Sequence, residues 1–187
     1  DTFMATVKNR IVNGLPDFMA DGVSDEALAS CKRICVVACG TAWHAGLMLQ
    51  ALVKSVLHMH IDVELASEFM YSDPVINQNT LVIAVSQSGE TVDTLEAVKY
   101  AKQCGAKCLA VLNVRGSSIA RESDYVLYTE AGPEIAVAST KAYTTQLAVM
   151  YLLVAKMAQL RGDYTMEETR AFIEEFQKVP EKIKEVL

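Results

Sequence analysis

No long hydrophobic run is present in the 187 residues: the most apolar stretch, Leu147 to Ala155, is nine residues long and is bounded by Gln146 and Lys156. Crossing a bilayer takes about 20 such residues, so no membrane partner is expected. A basic surplus is also missing. Against 17 Lys and Arg stand 23 Asp and Glu, a net charge of −6 with a pI near 5.1, which leaves no basic surface to meet a nucleic-acid backbone. A small anionic ligand is still allowed, because a few convergent dipoles outweigh a diffuse field that salt screens over roughly 10 Å. The cysteines do not form an even set. Five of them, with no signal-peptide pattern in the sequence, read as reduced thiols in a cytoplasmic protein. Cys31, Cys35 and Cys39 recur every fourth residue, but no further ligand group follows at zinc spacing, so no metal site is expected. His58 and His60 flank Met59 just before a strand and read as loop or edge residues.

Apolar pattern is plentiful. Hydrophobic residues make up 51% and charged residues 21%, enough for one sizeable globular core. Five strand candidates, Arg33 to Cys39, Ile61 to Leu65, Leu81 to Val85, Cys108 to Asn113 and Tyr125 to Thr129, alternate with helix candidates. Ala42 to Leu57 and Thr91 to Gln103, the latter stopped by Gly105, have the length of crossover helices, which join parallel strands. The intervals Ala66 to Asn79 and Gly116 to Asp124 hold at most a turn or two of helix. The fold class is therefore α/β: a three-layer doubly wound domain on a five-stranded parallel sheet with flavodoxin-like strand order. It is expected to occupy residues 31–162. Residues 1–30 form a lead-in with an amphipathic helix from Phe3 to Val12, and residues 163–187 a helical segment with a capping box, Thr165 and Glu168. From Ser139 or Thr140 to Leu160 the pattern is a helix apolar nearly all round, which asks for cover on several sides, with a subunit interface as one source. Both ends read as those of a piece of a longer protein.

The stretch from Thr80 to Thr91, Thr-Leu-Val-Ile-Ala-Val-Ser-Gln-Ser-Gly-Glu-Thr, is a buried strand pattern that breaks into hydroxyls around one glycine and then enters a helix. The unpaired N–H groups and positive dipole end of such a helix favour an anion at the turn. Ser86, Ser88 and Thr91 add side-chain donors, and Gly89 lets the backbone approach a ligand. The loop has no Walker Lys and no dinucleotide glycine spacing, which removes the main support for a nucleotide. Ordinary turn and N-cap duty for the same residues is the competing reading. Ligands of open parallel sheets lie beyond the carboxyl ends of the strands, so Cys39 to Trp43, Ser67 and Glu68, Ser86 to Thr91, Asn113 to Ser118 and Ala131 to Ser139 share one rim.

Ser86 to Thr91 then joins Cys39-Gly40-Thr41, Glu64-Leu65-Ala66-Ser67-Glu68-Phe69 and the run from Gly132 to Tyr143, Gly-Pro-Glu-Ile-Ala-Val-Ala-Ser-Thr-Lys-Ala-Tyr. Together they resemble the first sugar isomerase (SIS) subdomain of the glutamine–fructose-6-phosphate aminotransferase family, over about Ile34 to Leu160. The resemblance implies that Ser86, Gln87, Ser88 and Thr91 hold a sugar phosphate, that Val137 contacts the sugar through its backbone, and that the segment with Thr41 lines the same pocket. Ala42 stands where many relatives carry a serine, which leaves its backbone N–H to serve. It further implies fructose 6-phosphate and glucosamine 6-phosphate as ligands, no cofactor, a homodimer, and as missing parts a glutaminase domain and a second SIS half. In that family the base, the Schiff-base lysine and the ring-opening histidine come from the second half or its carboxyl-terminal tail, so no catalytic residue is expected here.

The residues agree with that division. General acid–base work on a sugar needs a His or carboxylate near the carbon-bound proton. On the rim, Glu90 reads as complementing the dipole of its own helix, Glu134 as ordering its loop, Glu68 and Lys141 as unassigned, and His44 as a packed or surface histidine. A free-standing isomerase of the same fold and a non-enzymatic sugar-phosphate sensor are the alternatives.

Overall fold

A computed structural model describes residues 1–135 and 139–186. In chain order its elements are α1 (Thr2–Val7), a 3₁₀ turn (Lys8–Arg10), β1 (Ile11–Val12), β2 (Leu15–Pro16), a second 3₁₀ turn (Met19–Asp21) and α2 (Asp25–Ala29). Then come β3 (Arg33–Ala38), α3 (Gly40–Val56), β4 (His60–Leu65), α4 (Ala66–Phe69), β5 (Thr80–Ser86) and α5 (Val92–Gln103). The chain continues through β6 (Lys107–Leu112), α6 (Ser118–Glu122), β7 (Tyr125–Tyr128), α7 (Lys141–Arg161), α8 (Met166–Gln177) and α9 (Val179–Val186).

Five strands form one parallel sheet in the order β4-β3-β5-β6-β7, the flavodoxin-like order expected from the alternation of strands and helices. β5 is central and buried along its whole length, which is what its β-branched run requires. Its side chains alternate between two cores. Leu81, Ile83 and Val85 meet Leu49 and Val53 of α3 and Leu152 and Leu153 of α7 on one face, while Val82 and Ala84 meet Ala97, Val98 and Ala101 of α5 on the other. α3 lies so close to the sheet that a Cβ on Gly46 would sit 2.9 Å from methyls of both Val36 and Val63.

One local reading changes. The helix expected from Phe3 to Val12 ends at Val7, and Ile11 and Val12 belong to an antiparallel hairpin with Leu15 and Pro16. Asn13 and Gly14 turn it with φ of 53° and 74°, the pair of positive values that a type I′ turn needs and that Asn-Gly supplies. Arg10, buried between the two, donates to Asp21 from Nε and Nη2 at 2.8 and 2.6 Å and to the Thr6 carbonyl at 3.0 Å. α7, whose apolar girdle asks for cover on several sides, finds much of it within this chain. In this chain α1, α2 and α8 pack against it, and Phe176 of α8 lies 4.9 Å from Phe3 and 6.4 Å from Tyr151 between ring centroids. α8 itself opens with the expected capping box: Glu168 N–H donates to Thr165 Oγ1 at 3.2 Å and Thr165 N–H to Glu168 Oε2 at 2.8 Å. No helix among the described residues is long and apolar enough to cross a membrane.

Candidate functional site

β5 delivers Ser86 to the carboxyl edge of the sheet at its centre. Ser86 is buried, and its Oγ accepts from Gly89 N–H at 3.0 Å and shares a hydrogen bond with Thr91 Oγ1 at 3.0 Å. That second bond matters for α5. Thr91 occupies the N-cap position, yet its hydroxyl turns back to Ser86 and does not cap the helix, so the first N–H groups of α5 keep no side-chain acceptor. α3 starts in the same way: Cys39 is the N-cap and makes no side-chain cap bond. Two open helix N-termini, with their dipoles, therefore face the same rim.

Between them lies a cavity of about 250 Å³. Thr41 and Ala42 from the first turn of α3 form one wall, and Ser86, Gln87, Ser88 and Thr91 form another. Six of the seven residues picked out from the sequence are thus brought together; the seventh, Val137, lies outside the described residues. Ser139 and Gln146 also line the cavity. Gln146 was missed as a site residue. Its signal is an amide that interrupts an apolar helix pattern one turn and a half from the helix start, the same residue that bounds the most apolar stretch. Among the described residues no Lys, Arg, His, Asp or Glu lines the cavity, so neutral donors and helix ends would have to hold an anion there.

The neighbouring β6–α6 loop clamps the serine loop. Gln87 O accepts from Asn113 N–H at 3.1 Å and Gly89 O from Ile119 N–H at 3.0 Å. Gly89 has φ +69°, and a Cβ there would fall 2.1 Å from Ser117 Oγ, so only glycine fits. Glu90 corrects the sequence reading in one respect. Its carboxylate does not sit on the first turn of its own helix but accepts from Ser118 N–H at 2.8 Å, at the start of α6. The hydrogen bonds from Ser118 hold this carboxyl below the usual range. Glu134 does order its loop: it accepts from Ala142 N–H at 2.8 Å and from the Ser139 and Thr140 hydroxyls at 3.2 and 3.4 Å, and its carboxyl is lowered mainly by the Ala142 bond. Glu134 thereby closes the start of α7 and fixes Ser139 at the cavity wall.

His44 is exposed, with its ring edge-on to Trp43 at 5.1 Å, and neither it nor Glu68 or Lys141 lines the cavity. Burial pushes the Cys31, Cys35 and Cys108 thiols up to about 11, 12 and 12, which suits packed thiols and not nucleophiles. A larger cleft of about 470 Å³ lies where α1 meets the end of β7. Most of its charges already answer one another, Arg10 with Asp21 and Arg115 with Glu130 at 2.9 Å, whereas the smaller cavity is bordered by two helix starts without a side-chain cap.

Residues 27–156 match the family model of the SIS domain. A glutamine–fructose-6-phosphate aminotransferase (isomerizing) of Clostridium acetobutylicum is 48% identical over 183 residues, 97% of this chain and 30% of that protein. Its counterpart in Mycolicibacterium smegmatis is 48% identical over 180 residues, 96% of this chain and 28% of the relative. Among solved structures, the C-terminal domain of glucosamine-fructose-6-phosphate aminotransferase from Francisella tularensis matches with a TM-score of 0.90 at 34% identity, covering 95% of this chain and 50% of that one. The chain spans about 30% of the length of the curated relatives it matches.

Proposed function

The chain belongs to the SIS domain family, and on that premise we propose that it is the sugar-phosphate-binding half of the isomerase part of a glutamine–fructose-6-phosphate aminotransferase. The single observation that carries this is the convergence of Thr41, Ala42, Ser86, Gln87, Ser88 and Thr91 on one uncharged cavity between two uncapped helix N-termini. The phosphate of fructose 6-phosphate or glucosamine 6-phosphate sits against the first N–H groups of α5 and the hydroxyls of Ser88 and Thr91. Ser86 holds the loop in shape. The α3 N-terminus, with Ala42 giving its backbone N–H where a serine is common, faces the rest of the sugar, and Val137 adds its backbone.

Transfer of ammonia and movement of the carbon-bound proton need an acid–base group, and none lines the cavity among the described residues. This supports a holding role here, with the base, the lysine and the histidine supplied by a second SIS half or its carboxyl-terminal tail and the ammonia by a glutaminase domain. It also favours a binding half over a free-standing isomerase. Residues 31–162 form the binding unit, flanked by a lead-in of residues 1–30 and a closing segment of residues 163–187, in a cytoplasmic homodimeric enzyme; the five free thiols fit a reducing compartment.

Charge-assisted hydrogen bonds of roughly 1.5–3 kcal/mol each must offset an association cost of about 4–15 kcal/mol, so this chain alone binds weakly. Calorimetric titration is expected to detect fructose 6-phosphate in the millimolar range, and Ser88→Ala to weaken it by about 1–3 kcal/mol with the fold intact. Binding of neither sugar phosphate at millimolar concentration, or an unchanged affinity in the variant, would overturn the assignment.

A further inference from the structure

α7 carries three buried polar side chains, and they differ in what they do. Thr145 donates its hydroxyl to the Ala142 carbonyl at 3.0 Å. Lys156 reaches Asp25 at 3.0 Å. Gln146 is only 3% exposed and lines the cavity. A carboxamide is costly to bury without hydrogen bonds, so one placed at the wall of a cavity is positioned to bond what enters it.

The chemistry of the amide narrows the partner. A phosphate offers acceptors only and is served by the N–H groups and hydroxyls of the β5–α5 loop. A carboxamide presents a donor and an acceptor side by side, which complements a hydroxyl, itself both donor and acceptor, or a hydroxyl beside a carbonyl. Gln146 comes from α7, while the phosphate-holding groups come from β5, α5 and α3. We propose that Gln146 is a specificity-determining residue of this cavity, which recognises a hydroxyl or carbonyl oxygen on the carbon chain of the sugar phosphate and not the phosphate.

This rests on the sugar-phosphate reading of the cavity, and the test separates the two. The full chain, Gln146→Met, which keeps the volume and removes the amide, and Gln146→Asn, which keeps the amide but shortens its reach, are titrated with fructose 6-phosphate and with inorganic phosphate. Both variants are expected to lose about 10-fold in affinity for fructose 6-phosphate, the worth of one good hydrogen bond, and less than about twofold for inorganic phosphate. Unchanged fructose 6-phosphate affinity in either variant overturns the inference. So does an equal loss for both ligands, which would make Gln146 a packing residue. Phosphate binding without any gain from the sugar in the unsubstituted chain removes this inference and leaves the phosphate cradle; binding of neither ligand removes both.

Discussion

Helix starts in this chain are treated in two ways. α8 opens with a complete capping box in which Thr165 and Glu168 each satisfy the other's backbone N–H, and the starts of α6 and α7 are closed from a distance by the carboxylates of Glu90 and Glu134. α3 and α5 open with no side-chain cap, although Thr91 stands in the capping position with a hydroxyl able to serve. Thr91 shares a hydrogen bond with the Ser86 hydroxyl instead. The contrast teaches that open N–H groups at the sheet edge are not a deficit of capping residues. They are left open by a specific side-chain arrangement, at the two helix starts that border the cavity.

The largest test of this contrast is Gly89→Ala. A methyl there meets Ser117 Oγ at 2.1 Å on a backbone of φ +69°, so the loop must shift. Stability in urea is expected to fall by about 2–4 kcal/mol and phosphate binding to vanish with it. A fall below about 0.5 kcal/mol would mean that the clamp between the serine loop and the β6–α6 loop does not hold the site. Thr165→Ala is the complementary change at the capped end. It should cost about 1 kcal/mol in the same measurement and leave ligand affinity untouched, since α8 lies behind α7 and away from the cavity.

The smallest effect is on pH. The Glu90, Glu134 and Glu168 carboxyls are all held below their ordinary values by hydrogen bonds from helix-start N–H groups and neighbouring hydroxyls. A lowered folded pKa means that the unfolded chain takes up protons first as pH falls. Their contribution is therefore fully present above the ordinary glutamate range, near pH 4.5, and is lost on acidification through the lower folded values. Urea midpoints measured from pH 6 down to 3 should be flat at first and then fall. Glu134→Gln should shallow that fall, and an unaltered profile would deny Glu134 its role at the start of α7.

The three inner strands were legible because a strand buried on both faces must be a run of apolar residues, and Leu81 to Val85 or Cys108 to Leu112 can hardly be anything else. The serine loop was legible for a similar reason, since hydroxyls and one glycine at a strand-to-helix junction are a local pattern. The hairpin at Asn13 and Gly14 was legible too, but the helical spacing of Phe3, Val7 and Ile11 obscured it. Glu90 was not: its sequence neighbours pointed to its own helix, and only the parallel pairing of β5 with β6 brings Ser118 within reach. Gln146 looked like the end of an apolar run until the packing of α7 turned it toward the cavity.

What the sequence determined by itself is whatever depends on neighbours along the chain: the strand and helix periods, the capping box of α8, the uncharged hydroxyl loop after β5. The tertiary structure decided which helix starts are closed and which are open, and which buried amide meets the cavity. Those outcomes depend on groups that are distant in sequence, joined by sheet pairing and helix packing, and no local pattern encodes the distance between them.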